Sequence, residues 1–375
     1  MSKIYLDNAA TTAIYPEVIA EMSKVLAEEF GNPSSTHSFG RGAKVVVETA
    51  RKSIAQQLNC SAQEIIFTSG GTEANNWILQ NAVKNLGIVR IISTKIEHHA
   101  VLYPVFALQK EAGIEVCFLS IQPDGTIDYS ELETLLADEK STMVSLMHVN
   151  NEIGVVLDLN RVGVLCKKYK AYFHSDTVQS IGKIEFNLEE TPIDFLVASA
   201  HKFHGPKGVG FAFIRKNTRL GASILGGEQE KGLRAGTEAV HQIAGMAKAL
   251  EISCTSIATN QQKLADLKIY AWQNLQKAFP GIKSNGAVAS TFYSVLNVQL
   301  PLSEDQSIMI LFTLDLQGIA VSRGSACQSG SAKPSHVLAE MLPEEDLKHP
   351  SIRISFSHSN TKEEIDVLIA ALQSL

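Results

Sequence analysis

The chain has 375 residues, 45% of them hydrophobic and 19% charged, with a formal net charge of −6. That describes a globular protein large enough for two bodies and excludes a disordered chain. Charges of both signs are mixed, so no basic block points to nucleic acid or an anionic membrane, and no apolar run reaches the roughly 18 residues of a membrane span. The five cysteines are scattered without a CxxC pair, which argues against a disulfide framework or a zinc site. Residues 1–7 carry no signal-peptide core, and a cytoplasmic location is the expectation.

Residues 64–69 read as a strand, Gly70-Gly71 as a turn and 72–84 as a helix. A strand at 90–93 precedes a helix through Gln109, and strands at 114–119 and 143–148 flank a helical 129–137. Strands at 172–175, 195–198 and 209–214 follow. Buried β-rich runs alternating with helices predict an α/β fold with a mostly parallel sheet, seven-stranded in type, covered on both faces. Ligands of such sheets bind at the carboxyl ends of the strands. The glycine-rich stretch 221–236 breaks the pattern. Beyond it the sequence predicts a long helix over 262–279, a strand at 296–300, a helix at 305–316, an apolar edge at 319–321 and a strand at 352–356. A last helix, 361–372, opens on the capping-box pair Thr361 and Glu364. The expected division is a large domain over 15–245 and a smaller α/β domain formed by 1–14 with 246–375.

Four features fall at the ends of the predicted strands. Ser69-Gly70-Gly71-Thr72-Glu73 leads a strand into a helix, whose N-terminal N–H groups and dipole favour an anion, with the Thr72 hydroxyl as a further donor. Asp176 closes the run Tyr172-Phe173-His174-Ser175, with Gln179 just after it, and a carboxylate there is costly unless it meets a cation. Lys202 closes Ala198-Ser199-Ala200-His201, where desolvation would leave its amine nucleophilic. Glu97-His98-His99-Ala100 follows the strand at 90–93, and a histidine there can lie over a bound ring and carry protons.

Each feature has an ordinary reading of its own: a structural turn, a helix N-cap, a surface lysine, a solvated helix start. Together they meet the needs of a pyridoxal phosphate site. The lysine forms the Schiff base, the carboxylate keeps the pyridine nitrogen protonated, and the glycine turn holds the phosphate. Spacing therefore points to a pyridoxal-phosphate enzyme of the aspartate-aminotransferase fold type, fold type I.

Further motifs are spread along nearly the whole chain. They are Tyr5-Leu6-Asp7-Asn8-Ala9-Ala10-Thr11-Thr12, Phe30-Gly31-Asn32-Pro33-Ser34-Ser35, His148-Val149-Asn150-Asn151-Glu152-Ile153-Gly154, Arg234-Ala235-Gly236-Thr237, Gly324-Ser325-Ala326-Cys327 and Ser351-Ile352-Arg353. With the four features above, in this order, the sequence resembles the NifS/IscS-like cysteine desulfurases of the class V aminotransferase family. The resemblance implies that Lys202 carries the cofactor, Asp176 pairs with its pyridine nitrogen and His98 stacks on its ring. It further implies that Gln179 and Asn151 sit near the phenolic oxygen and that Gly71, Thr72, Ser199 and His201 hold the phosphate. Thr237 would reach the phosphate of a neighbouring subunit, so a homodimer is implied, and Arg353 and Asn32 would hold the substrate carboxylate.

Cys327 selects the reaction in this reading, because sulfur abstraction needs a thiolate and aminotransferases of the same fold do not. Its surroundings are rich in glycine and serine, with Arg323 nearby, and look like the group I subtype. The implied activity converts L-cysteine to L-alanine and leaves a persulfide on Cys327 for an acceptor protein, either an iron–sulfur scaffold or a protein of tRNA or cofactor thiolation. The rivals are a selenocysteine lyase and a class V aminotransferase, which would release a keto acid and have no use for Cys327.

Overall fold

The structure is a computed structural model and describes residues 3–138, 140–323 and 335–375. In chain order its strands are β1 (Ile4–Tyr5), β2 (Ile65–Thr68), β3 (Arg90–Ser93), β4 (Glu115–Phe118), β5 (Thr142–Ser145), β6 (Tyr172–Asp176), β7 (Phe195–Ser199), β8 (Gly210–Ile214), β9 (Lys283–Ser284), β10 (Val295–Gln299), β11 (Ile319–Ala320) and β12 (Ser351–Ser355). β2 to β8 form a seven-stranded sheet in the order β2-β8-β7-β6-β5-β3-β4. β8 runs antiparallel to both β2 and β7, and the remaining pairs are parallel. The expected mostly parallel sheet is thus present.

Successive strand residues face opposite sides, so runs that are buried throughout require a cover on each face. Ile65, Phe67, Leu196, Ala198, Phe211 and Phe213 pack into one core with helices Pro16–Glu28, Ser38–Gln57 and Val240–Thr255. Ile66, Ile91, Met143, Phe195, Val197 and Ala212 pack into the other with Gly71–Leu86 and His99–Ala112.

The second body is built on β10, which pairs antiparallel with β12 and β9, while β1 pairs parallel with β11. Its core joins Ile4 and Leu6 to Leu264, Leu275, Val298, Leu314, Ile354 and Leu368. The capping box forms as expected: Thr361 accepts from the Glu364 N–H and Glu364 accepts from the Thr361 N–H. Helix Val240–Thr255 was not anticipated, because its apolar and small residues follow the glycine-rich stretch without a turn signal. It is defined by packing, with Gly245 so close to Met22 that a Cβ would lie 2.6 Å from Met22 Cγ. The next helix, Ile257–Ala278, begins earlier than the predicted 262. Among the described residues no helix is long and apolar enough to cross a membrane.

The glycine-rich stretch is pinned to the sheet edge by buried charge. Both guanidinium nitrogens of Arg51 reach the Glu230 carboxylate at 2.7 Å, and the Phe67 N–H donates to the same carboxylate at 2.8 Å. Glu230 and Lys231 are held at φ 46° and 60°, a region side-chain-bearing residues rarely take. Glu230→Ala leaves the buried Arg51 guanidinium with only the exposed Glu48 and the Ile65 carbonyl as partners and is expected to lower the unfolding free energy by about 3 kcal/mol, read by urea denaturation. The double variant Arg51→Met/Glu230→Leu is expected to lose less.

Candidate active site

β3, β5, β6 and β7 are parallel, and β2 shares their direction because β8 is antiparallel to both β2 and β7. Their carboxyl ends therefore open on one edge, where ligands of such sheets bind. A cleft of about 220 Å³ lies there, and Gly71, Thr72, His98, Asn151, Asp176, Gln179, Ser199, His201, Lys202 and Arg353 all line it. Asn32 and Thr237 do not. Both are exposed, and Thr237 borders a separate hollow of about 190 Å³ with Ser69 and Arg234. Cys327 lies outside the described residues.

One end of the cleft is suited to an anion. After β2 the chain turns through Gly70 at φ 145°, and a Cβ on Gly71 would sit 2.6 Å from Val178 Cγ2, so the helix N-terminus at Gly71 lies tight against the loop after β6. The first N–H groups of that helix have no partner within it, and Thr72, Ser199 and His201 line the same cleft. Burial, with Lys202 adding to it, pushes the His201 imidazole down to about 4, and its Nδ1 lies 3.2 Å from the Thr11 hydroxyl.

At the other end Asp176 is buried and fully engaged. Oδ1 accepts from the Val178 N–H at 3.0 Å and Oδ2 from the Asn75 amide at 2.7 Å. Lys202 Nζ donates to the carbonyls of Ala9 and Ala10 at 2.7 and 2.8 Å, and Gln179 Nε2 donates to the Ala9 carbonyl at 2.9 Å. Asp176 thus ends β6, while Lys202 stands a 3-10 turn beyond the end of the adjacent parallel strand β7 rather than at its last residue. Arg353 is almost fully buried, with its guanidinium bonded to Asp7 Oδ1 at 2.7 Å and to the Asn151 carbonyl at 2.8 Å. Its Nε is buried without a partner among the described residues.

His98 combines two readings that the sequence left as alternatives. It caps helix His99–Ala112, with Nδ1 accepting from the Ala100 N–H at 3.1 Å, and it also lines the cleft. An Nδ1 that accepts puts the proton of the neutral ring on Nε2. Burial lowers its pKa; Asp176 opposes that shift while Lys202 and His336 add to it, which favours the neutral ring.

Sequence reasoning missed Asn75, Ala9 and Ala10. Asn75 lies three residues beyond Thr72 on the same helix, so helical spacing already put the two on one face. Ala9 and Ala10 stand in a quoted motif but offer only backbone carbonyls, which no residue type announces.

This fold, with a lysine and an aspartate closing adjacent strands over a glycine turn, defines a fold-type-I transferase. The class V aminotransferase profile matches residues 4–368. The chain belongs to that family, in its NifS/IscS-like cysteine desulfurase branch, whose members are in general pyridoxal-phosphate-dependent. Over all of its residues it is 40% identical to the cysteine desulfurase IscS of Dictyoglomus turgidum, spanning 94% of that protein. A solved NifS-like protein superimposes with a TM-score of 0.91 at 35% identity, covering 100% of this chain and 99% of the other. A structure of SspA in complex with cysteine gives a TM-score of 0.82 at 29% identity, covering 95% of this chain and 99% of that one.

Glu97, beside His98, is almost fully buried and accepts from the Met147 N–H at 2.7 Å. Burial pushes its carboxyl up to about 8, with the charge of Asp176 adding to it and the Met147 bond opposing it. A carboxyl raised on folding contributes stability that is present in acid and lost as pH rises through about 8. Glu97→Gln keeps the acceptor and cannot ionise. It should therefore gain stability over the wild type across that rise, on the order of a few kcal/mol in denaturation series at acid and alkaline pH.

Proposed function

We propose that this cleft binds pyridoxal phosphate and L-cysteine, and that the chain transfers the sulfur of the amino acid to its own Cys327. The observation that carries the reading is the convergence of Lys202, Asp176, His98 and Arg353 on one cleft with an anion-suited helix N-terminus at its end. The donor set fits the cofactor. Gly71, Thr72, Ser199 and His201 would hold its phosphate, Asp176 its ring nitrogen, Lys202 its carbonyl carbon and Asn151 with Gln179 its phenolic oxygen. Bound there, the cofactor supplies an electron sink that makes the substrate Cα proton acidic.

Lys202 Nζ would take that proton and return it. Asp176 would keep a proton on the ring nitrogen by ion pairing. Neutral His98, carrying its proton on Nε2, would exchange it with the substrate thiol. Arg353, already oriented by Asp7 and Asn151, would bind the substrate carboxylate, with Asn32 as a further contact. The Cys327 thiolate would attack the substrate sulfur: a sulfur–sulfur bond forms, the carbon–sulfur bond breaks, and the electron pair stays on carbon, which takes a proton to give alanine. The persulfide would pass to an acceptor of iron–sulfur assembly or of thiolation.

We assign residues 15–255 to one domain, ten residues beyond the expected 245 because helix Val240–Thr255 packs as a whole into the first core, and 1–14 with 256–375 to a second, so that Ala9 and Arg353 face Lys202 and Asp176 across the cleft. The exposed Thr237, off its own chain's cleft, supports a homodimer in which it serves the neighbouring site. A cytoplasmic location accompanies this reading.

The purified protein should be yellow and should release alanine and sulfide in equal amounts from L-cysteine with a thiol reductant. Cys327→Ser should abolish both products and keep the colour. Keto acid as the product, indifferent to that substitution, would sink the proposal in favour of an aminotransferase, and a strong preference for selenocysteine would favour a lyase. Asp7→Asn removes the charge that orients Arg353. It should raise KM for L-cysteine by about tenfold with a smaller change in kcat, measured in steady-state assays.

A further inference from the structure

We propose that Asn75 is a positioning residue that fixes the orientation of the Asp176 carboxylate where it faces the cofactor. The proposal rests on the reading that the cleft holds pyridoxal phosphate. Asn75 lies within helix Gly71–Leu86, where asparagine is a weak helix former, and its side chain is entirely buried. Nδ2 donates to Asp176 Oδ2 at 2.7 Å, whereas Oδ1 is buried without a partner among the described residues. A half-satisfied amide in a helix core is unfavourable compared with a leucine of similar volume. The bond to Asp176 is therefore what an asparagine supplies at this position and a leucine does not.

That bond has a directional consequence. With Oδ1 of Asp176 accepting from the Val178 N–H, the two donors grip the carboxylate from both oxygens and prevent its rotation. They leave lone pairs toward the cleft, which Asp176 and Asn75 both line. Glu97, His98 and Lys202 are the charged or titratable groups around it, with His201 and Arg353 on the same cleft. All of them are unchanged in an Asn75 variant, so a shift between variant and wild type reports on Asn75.

The test uses cofactor-stripped wild type, Asn75→Leu, Asp176→Ala and the double variant, each titrated with pyridoxal phosphate and followed by visible absorbance over a range of pH. Asn75→Leu is expected to bind the cofactor about 10- to 100-fold more weakly, the factor that a hydrogen bond to a charged group carries. Its visible band should also shift from the wild-type position, because a carboxylate free to turn no longer holds the ring nitrogen in the same way. In the Asp176→Ala background the same substitution should have little further effect, since Asn75 acts through Asp176. Asn75→Ala serves equally if the leucine variant does not fold. Equal affinity and an unmoved visible band in the single variant would overturn the inference, as would an undiminished loss in the Asp176→Ala background. A wild type that shows no cofactor band at all would instead overturn the reading of the cleft on which the inference rests.

Discussion

Residues 4–12 run from the second body to the seven-stranded sheet and use their backbone groups on both. Ile4 and Leu6 donate to Gly318 and Ala320 in the second body, and the Ala9 N–H reaches the Ser355 hydroxyl. The carbonyls of Ala9 and Ala10 hold Lys202 at the end of β7, and Thr12 bonds the His201 carbonyl. Asp7 pairs with Arg353. This strip therefore sets the distance between the lysine and the arginine that face the cleft. Each would be free to shift if the strip satisfied only one side, since a buried polar group moves to wherever its partner is.

The charges of the cleft share one physical solution. Asp176, Glu97 and Arg353 are nearly inaccessible to water, and each is held by hydrogen bonds from loops that follow strands. After β5 the pairing to β6 continues past the strand itself, with the N–H groups of Leu146 and His148 donating to His174 and Asp176. That extension carries Met147 and Asn151 to the cleft alongside Asp176. His98 and His201 are kept toward their neutral forms by burial, and Lys202 and Arg353 are the other basic side chains that share the cleft with Asp176. A low-dielectric site of this kind can support a fixed protonation pattern that an open surface would average away.

The second body brings Arg353 from β12, and β12 also ties the chain at Ser322, whose N–H and carbonyl pair with those of Arg353. Beyond the segment that contains Cys327 the chain is anchored again: Ser335 donates to Glu152, and His336 bonds the Glu97 carbonyl at 2.9 Å. One flank of that segment thus pairs with Arg353, which lines the cleft, and the other with Glu152 and Glu97, each next to a lining residue, so the folded protein holds both flanks near the chemistry.

The family resemblance supplied Asn151, Ser199, His201 and Arg353 among the cleft residues, whereas spacing by itself determined the alternation of strands and helices, the mostly parallel sheet and the strand-end residues Gly71, Thr72, His98, Asp176, Gln179 and Lys202. These were legible because a buried strand must be apolar throughout and a chemical group at its end must interrupt that run. Periodicity left unread the helix Val240–Thr255, whose residues read as helix only once Pro16–Glu28 and Ser38–Gln57 pack on it. Tertiary structure alone decided that Asn75 meets Asp176, that His98 both caps a helix and lines the cleft, and that Asn32 and Thr237 stand off it. The physical reason is that hydrogen-bond partners far apart in sequence are chosen by packing, and backbone carbonyls such as those of Ala9 and Ala10 carry no signature in residue type.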